Sequence, residues 1–257
     1  MNQPSFIMKH MNQPSFIMKH MNQPSFIMKH TLLSCLCLSL CLVASAQEAV
    51  GANAAGPKPF AKEVFRDAFA APELGKAWSS WMSASAVKDG VLVGARIEGE
   101  KKISVNSFKV PPTDNLEIAL SFRLEGGSFA IVVDDSTYDG SHSGHLSKIL
   151  VKADSVYFED MKTGSNKNEI QAMKGKFDEA TKALLKTKEK TVPVSVTEKT
   201  THQLVVRLEG NTLTASIDGR EVGSFVGEGF SHATKDRVCL WTMKNSVHFD
   251  DVVVRVP

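Results

Sequence analysis

The chain has 257 residues, a net charge of +2 and four cysteines. Residues 1–46 hold three of the lysines, three of the cysteines and no acidic residue, so residues 47–257 have one more acidic than basic side chain and one thiol, Cys239. This composition excludes an intramolecular disulfide, and it leaves no basic excess that would attract nucleic acid or an anionic membrane. Stability must therefore come from a hydrophobic core, for which residues 47–257 are long enough.

The N-terminus combines a repeat with an export signal. The segment MNQPSFIMKH occurs three times, and we interpret residues 1–27 as an anomalous tandem repeat, because so short and polar a unit cannot bury a face by stacking. Residues 28–46 contain a basic segment, an apolar run too short for a membrane span, and an A-x-A cleavage site, which predict a secretory signal peptide. We therefore expect a secreted or periplasmic protein. A lipoprotein anchored at Cys35 or Cys41 is the alternative.

Beyond the signal, the chain changes from a linker to a β-rich domain. Residues 47–62 are rich in Ala, Gly and Pro and predict a flexible linker. From residue 63 to residue 257, short apolar runs separated by turn signals predict an antiparallel β-sandwich. Strands are expected, in part as hairpins, at residues 63–69, 87–93, 102–110, 115–124, 128–134, 145–151, 155–159, 238–243 and 247–256.

Two segments near the C-terminal half have the most distinct periodicities. Residues 202–225 alternate apolar and polar side chains between compact Gly-containing turns, which predicts a three-stranded antiparallel meander. Between residues 168 and 189, apolar residues recur every three or four positions with Lys and Glu between them. This spacing predicts one amphipathic helix inserted in an otherwise all-β domain.

Three motifs carry a resemblance to a known superfamily. They are Phe-x-Asp-x-Phe at residues 65–69, Asp-Gly-x-Leu at residues 89–92 and Phe-Asp-Asp-Val-x-Val at residues 249–254. Together they resemble the concanavalin A-like lectins and glucanases. Within that superfamily the chain is similar to the secreted 3-keto-disaccharide hydrolase-like domains, which are loosely labelled family 16-like, and residues 138–145 and 160–164 also resemble that group. The resemblance implies a two-sheet antiparallel jelly roll whose first and last strands are neighbours.

The same resemblance implies a carbohydrate partner. Family 16 glucanases carry a Glu-x-Asp-x-Glu strand, and this sequence has none. A retaining mechanism, which needs two carboxylates about 5–5.5 Å apart, therefore lacks its usual residues. We expect a non-catalytic glycan-binding domain. The alternatives are a hydrolase or lyase of glycosides or 3-keto-glycosides and, because fold does not imply function, a structural or scaffolding role.

The densest cluster of functional side chains comprises Asp134, Asp135, Tyr138, His142 and His145. Because adjacent residues on a strand point to opposite faces, at most one of Asp134 and Asp135 should face a cleft. His142 and His145 could bind a divalent metal together with an Asp, and Asp134 or Asp135 could hold Ca²⁺ through oxygen. The same residues could act directly on a sugar, or they could only hydrogen-bond a long turn.

These patterns give two sets of candidate site residues. The candidates for catalysis are Asp135, His142, His145, Glu159 and Lys162. The candidates for ligand binding are Trp78, Trp81, Asp134, Tyr138, Asp160 and Asn168. An exposed indole is a good platform for a sugar ring whereas a buried one belongs to the core, and Trp241, in an apolar strand, is expected in the core. Asn168 has a second interpretation, as the N-cap of the predicted helix.

Overall fold

A computed structural model of the chain describes residues 60–257. The predicted repeat at residues 1–27, the signal peptide at residues 28–46 and most of the linker at residues 47–62 lie outside the described residues. Within the described part, no helix is long and apolar enough to cross a membrane.

Residues 60–257 form fifteen strands and two short α-helices. The strands are β1 (Lys62–Asp67), β2 (Trp78–Trp81), β3 (Ala86–Lys88), β4 (Val91–Gly94), β5 (Ser104–Thr113), β6 (Leu116–Leu124), β7 (Phe129–Asp134), β8 (His145–Val151), β9 (Ser155–Asp160), β10 (Glu189–Pro193), β11 (His202–Glu209), β12 (Thr212–Ile217), β13 (Arg220–Val226), β14 (Lys235–Thr242) and β15 (Val247–Val256). The helices are α1 (Asn168–Ala172) and α2 (Glu179–Thr187).

The strands build two antiparallel sheets. The eight-stranded sheet has the order β13-β12-β11-β6-β15-β4-β3, and β1 also pairs with β15. The seven-stranded sheet has the order β10-β9-β8-β7-β14-β5-β2. Phe65 in β1 is the register partner of Val254 in β15, so the first and last strands are neighbours, as predicted. The all-β class and the two-sheet antiparallel architecture are thereby confirmed.

The core lies between the two sheets. Phe129 of the seven-stranded sheet contacts Phe122 and Phe249 of the eight-stranded sheet, with ring centroids 5.0 and 5.1 Å apart. All three rings are fully buried. Burying a side chain of this size contributes about 1.5–3 kcal/mol. Contacts of this kind across the sandwich replace the disulfides that the sequence lacks.

The predicted meander is present as β11, β12 and β13. Asp218 and Gly219 join β12 to β13 with φ angles of 51° and 77°. Two consecutive residues with positive φ form the turn whose twist matches that of the flanking strands. This is why the Asp-Gly pair was a reliable signal in the sequence.

The single helix predicted over residues 168–189 is wrong. Helix α1 ends at Ala172, and Lys174 and Gly175 then adopt φ angles of 48° and 78°, which no right-handed helix continues. Helix α2 has its own start, where the side chain of Asp178 accepts a hydrogen bond of 2.7 Å from the backbone N–H of Thr181. The last residue of the predicted helix, Glu189, belongs to strand β10. The helical spacing of apolar residues in the sequence therefore came from two separate short helices, α1 and α2.

Candidate functional site

The candidate site lies on the face of the seven-stranded sheet that points away from the other sheet. Along β14, Leu240 packs in the core between the sheets, whereas Cys239 packs in a separate apolar cluster with Ala130 of β7. Arg237 and Trp241 share the side of Cys239, because alternate residues of a strand face the same way. Strand β14 therefore presents a row of functional side chains on its outer face.

A cleft with a volume of about 840 Å³ opens on this outer face. We name it the outer-face cleft. Side chains that line it include Trp81, Lys102, Asp134, His145, Arg237 and Trp241. They come from strands β2, β7, β8 and β14 and from the loop that precedes β5. The cleft is therefore built across most of the sheet rather than by a single loop.

A buried carboxylate organises the middle of the cleft. Asp134 is 0% exposed, and its Oδ1 lies 2.7 Å from Nδ1 of His145. Its Oδ2 accepts hydrogen bonds from Nε of Arg237 at 2.9 Å and from the thiol of Cys239 at 3.2 Å. Since an ionised carboxylate can only accept, Nδ1 of His145 must be the donor. The neutral imidazole then has a bare acceptor at Nε2.

The thiol in this network is not a nucleophile. Burial raises the pKa of Cys239 well above its ordinary value, and the adjacent Asp134 carboxylate raises it further. Only the thiolate is nucleophilic, so a thiol with a raised pKa stays protonated at neutral pH. Cys239 therefore acts as a buried hydrogen-bond donor to Asp134.

The two histidines of the cluster are neighbours but differ in their surroundings. The ring centroids of His142 and His145 lie 6.1 Å apart. His145 also packs edge-on against the indole of Trp241, with ring centroids 5.2 Å apart. Among residues 60–257, no three His, Cys, Asp or Glu side chains are grouped so that they could hold a metal ion. Asp134 already accepts from three donors, and the calcium expectation stays a prediction.

Asp135 points away from the cleft, as expected for the neighbour of Asp134 on a strand. It accepts hydrogen bonds from the hydroxyl of Thr137 at 2.7 Å, from Nε2 of His232 at 2.9 Å and from the hydroxyl of Thr234. Burial raises the pKa of this carboxyl, but the hydrogen bonds from Thr234, Thr137 and His232 outweigh burial and hold the pKa well below its usual range. Asp135 therefore fixes the loop and lies outside the outer-face cleft, and its catalytic role stays a prediction.

Tyr138 and Lys162 lie with His232 rather than in the cleft. The ring of Tyr138 is 4.8 Å from that of His232, and the ammonium of Lys162 lies 5.3 Å from the centre of the Tyr138 ring. These contacts hold Tyr138 against its neighbours, although much of the loop that follows β7 is exposed. Neither residue lines the outer-face cleft, and the expected binding role of Tyr138 and catalytic role of Lys162 stay predictions.

Asp160 and Asn168 stabilise turns. Asp160 is completely buried and accepts backbone hydrogen bonds from Thr163 at 3.0 Å and Gly229 at 2.9 Å. The side chain of Asn168 donates to the carbonyl of Asp139 at 2.6 Å, which ties the start of α1 to the loop after β7. Asn168 is the first residue of α1 and makes no capping bond, so the N-cap interpretation is wrong. The structure places neither residue in the cleft.

Glu159 lies at the border of the cleft and is already paired. It is buried, forms an ion pair with Lys148, and accepts a hydrogen bond from Ser165. Lys148 lines the cleft, with Glu159 behind it. The carboxylate therefore positions a cation at the cleft wall and is not free to serve as an acid.

The three tryptophans have different environments. Trp78 is 8% exposed, packs against the ring of Phe108 at 4.8 Å, and donates its indole N–H to Asp67 at 2.7 Å. The expectation that Trp78 binds a ligand is therefore corrected, since it belongs to the core. Trp81, three residues later, points to the other face, is 55% exposed and lines the cleft. Trp241 also lines the cleft, which corrects its predicted place in the core.

Five charged or aromatic residues of this cleft were not assigned to it from the sequence: Lys101, Lys102, Lys148, Arg237 and Trp241. The alternation of Arg237, Cys239 and Trp241 along β14 is a signal that could have placed Arg237 and Trp241 on one face. No comparable pattern marks the three lysines, since lysine is common on any solvated surface.

Comparison with known proteins gives structural similarity alone. No family model matches the sequence, and no curated protein matches it significantly. Among solved structures, the GlcNAcα1-4Gal-releasing endo-β-galactosidase from Clostridium perfringens has a TM-score of 0.54 at 12% identity, over 78% of this chain and 64% of that chain. The laminarinase from Rhodothermus marinus has a TM-score of 0.53 at 12% identity, over 76% of this chain and 96% of that chain.

A non-specific endo-β-1,3(4)-glucanase from family GH16 is similar to the same degree. Its TM-score is 0.52 at 11% identity, and the similarity covers 76% of this chain and 91% of that chain. At such identities the similarity concerns the fold, and the chain spans less than two thirds of the endo-β-galactosidase. These similarities and the two antiparallel sheets show that the chain has a two-sheet antiparallel jelly-roll fold, as these glycosidases have.

Proposed function

We propose that the protein binds a carbohydrate in the outer-face cleft. The observation that carries this proposal is the pairing, in one cleft, of two indoles with polar side chains that are already fixed in place. Trp81 and Trp241 provide apolar surfaces of the kind on which sugar rings stack. Arg237 and His145 line the same cleft, contact the buried Asp134, and supply donors and an acceptor for hydroxyl groups.

The fixed geometry of these polar groups favours binding. Arg237 donates to Asp134 and also to the backbone carbonyl of Ser143 at 2.8 Å, and His145 is held by the same carboxylate. Immobilising a flexible side chain on binding costs about 0.5–1.5 kcal/mol. Side chains that are held before the ligand arrives avoid most of this loss, so a modest number of contacts suffices for measurable affinity.

The carboxylates of the cleft favour binding over hydrolysis. Glycoside hydrolysis uses two carboxyl groups, one of which must be protonated so that it can act as a general acid. Asp134 accepts from His145, Arg237 and the Cys239 thiol, and Glu159 is paired with Lys148. Both carboxylates are thus already engaged by neighbouring donors or a cation, so neither is positioned as a free general acid for a sugar in the cleft.

A glycan screen tests the proposal. The purified protein is titrated by isothermal calorimetry with β-1,3- and β-1,4-glucan, galactan and uronate oligosaccharides, with and without EDTA. We expect saturable binding to at least one of them, with an affinity that EDTA does not change. Failure of every glycan to bind would contradict the proposal, and a loss of affinity in EDTA would favour the calcium prediction instead.

A second candidate function has one specific observation in its favour. His145 is oriented by a buried carboxylate and its Nε2 is directed away from Asp134, which is the arrangement of a general base and the group that orients it. We therefore keep a hydrolase or lyase of glycosides or 3-keto-glycosides as the alternative. If product is released from such substrates, the His145→Gln variant should lose turnover while it retains ligand affinity; turnover that survives in this variant would contradict the role of His145.

We also propose that the protein acts outside the cytoplasm, in the periplasm or after secretion. The support is the sequence of residues 28–46, with its apolar run and its A-x-A site. N-terminal sequencing of the protein from its native host tests this proposal. The mature chain should begin at Gln47, and a chain that retains residues 28–46 would contradict export by cleavage.

A further inference from the structure

Cationic side chains dominate the outer-face cleft. Lys101, Lys102, Lys148 and Arg237 all line it, whereas Asp134 is the one carboxylate among its lining residues. The chain beyond the leader has a slight excess of acidic over basic residues. The positive charge in the cleft is therefore a local concentration and does not reflect the composition of the protein.

Two of these cations are already neutralised and two are not. Arg237 is paired with Asp134, and Lys148 is paired with Glu159. Within residues 60–257, Lys101 and Lys102 form no ion pair with an acidic side chain, and both are exposed. The uncompensated charge thus lies at the rim formed by the segment that precedes β5.

This free charge lies next to the exposed indole. The ammonium of Lys102 is 5.7 Å from the centre of the Trp81 ring, and both side chains line the cleft. A sugar ring stacked on Trp81 would bring its ring substituents within reach of Lys102. Hydrogen bonds between a cation and an anionic acceptor are roughly twice as strong as those between neutral groups, so a negative substituent would gain most from this position.

We propose that the preferred ligand of the cleft is an anionic glycan, one that carries uronate carboxylates or sulfate esters, with Lys101 and Lys102 pairing to the negative group while Trp81 stacks on the sugar ring. This inference rests on the proposed function, because it names the class of carbohydrate that the same cleft takes. Uronates and sulfate esters both place a negatively charged oxygen group on a sugar ring. Experiment distinguishes the carboxylate from the sulfate.

Isothermal calorimetry with three matched probes tests the inference. The probes are a neutral galacto-oligosaccharide, an oligogalacturonate of the same length and a sulfated galacto-oligosaccharide. At low ionic strength, we expect at least one anionic probe to bind about tenfold or more tightly than the neutral one. This advantage should shrink as NaCl is raised towards 1 M, where the screening length falls to about 3 Å. A preference for one anionic probe over the other assigns the group as carboxylate or sulfate.

Charge-removal variants localise the effect. The double variant Lys101→Ala/Lys102→Ala should lose the advantage of the anionic probe, so that the anionic and the neutral probe bind it with similar affinity. The matched control Lys62→Ala/Lys88→Ala removes two exposed lysines from the eight-stranded sheet and should change neither affinity. If both double variants lose the same amount of affinity for the anionic probe, the attraction depends on the overall charge of the protein and not on the cleft, which would overturn the inference.

The outcomes separate this inference from the proposed function. If the neutral and the anionic probes bind with the same affinity and both lose affinity in the Trp81→Ala variant, the anionic preference is wrong and carbohydrate binding in the cleft stands. If none of the three probes binds and the wider glycan screen also fails, the proposed function is wrong and the inference falls with it.

Discussion

Asp134 and His145 are register partners on the adjacent strands β7 and β8, and Asp134 Oδ1 lies 2.7 Å from His145 Nδ1. The pairing register shifts by one residue next to this pair, between Val133 and Asp134. Such an irregularity re-aims side chains at the end of a ladder. The pairing of β7 with β8 therefore brings Asp134 and His145 together in the cleft.

The first prediction concerns the buried carboxylate. Replacing Asp134 by Asn leaves Arg237 without its anion in a largely buried position and should lower the free energy of unfolding by about 3 kcal/mol. Urea unfolding followed by circular dichroism measures this change. The control is Glu63→Gln, which breaks the exposed pair with Arg66 and should have little effect. Similar small losses in both variants would contradict the organising role of Asp134.

The second prediction separates two tryptophans on one strand. Trp78→Ala removes a core side chain and should lower the free energy of unfolding by about 3–5 kcal/mol. Trp81→Ala removes an exposed side chain and should change it by less than about 0.5 kcal/mol. Urea titrations of the two variants check this difference. Equal destabilisation would mean that Trp81 is also part of the core.

The third prediction is a pH dependence that comes from Lys235. This residue is completely buried, and burial lowers the pKa of its ammonium to about 8 from an ordinary value of 10.5. Between these two values the unfolded chain binds more protons than the folded chain, so the free energy of unfolding should rise with pH across this window. The full effect is about 3 kcal/mol, at 1.36 kcal/mol for each pKa unit.

A difference measurement isolates this contribution. Unfolding free energies of the wild type and of Lys235→Met are compared at several pH values between 8 and 10.5. The free energy of unfolding of the wild type should rise relative to that of Lys235→Met as pH rises. The variant has no ammonium to neutralise, so its own free energy of unfolding lacks this contribution. A constant gap over this range would show that the pKa of Lys235 is not lowered.

The fourth prediction concerns the turn that carries the histidines. Gly144 has a φ of 72°, and a Cβ at this position would lie 2.0 Å from the backbone carbonyl oxygen of Asp135. Gly144→Ala should therefore displace the turn, with a loss of both stability and ligand affinity. The control is Gly175→Ala, at a φ of 78° in open space, which should lose only the strain of about 1–2 kcal/mol and no affinity. Equal losses in the two variants would contradict the steric argument.

The strands were predictable because their signals are local. Alternation along β12 and the Asp218-Gly219 turn together determine strand, face and register without knowledge of the rest of the fold. The inserted segment was harder, since residues 168–189 match a helical period although the backbone reverses at Lys174 and Gly175. Periodicity reports the spacing of apolar residues and is insensitive to a break between two short helices.

The site was predictable only in part. Asp134 and His145 were both identified, because a polar cluster after an apolar strand is rare. Trp78 and Trp81 could not be told apart, since a four-residue strand gives alternation but not the direction of the core. Trp241 was misplaced because both faces of β14 carry apolar residues, and only the paired sheet shows which face is covered.

The central claim is that a glycan binds on the outer face of the seven-stranded sheet, against Trp81. Its most direct test is the dissociation constant of the best-binding glycan for three proteins: the wild type, Trp81→Ala and Val226→Ala. Val226 is 61% exposed on β13 of the other sheet and serves as the control for loss of exposed apolar surface. We predict that Trp81→Ala weakens binding at least about tenfold, which is 1.4 kcal/mol, while Val226→Ala leaves it unchanged. An unchanged affinity in a folded Trp81→Ala protein would contradict the claim.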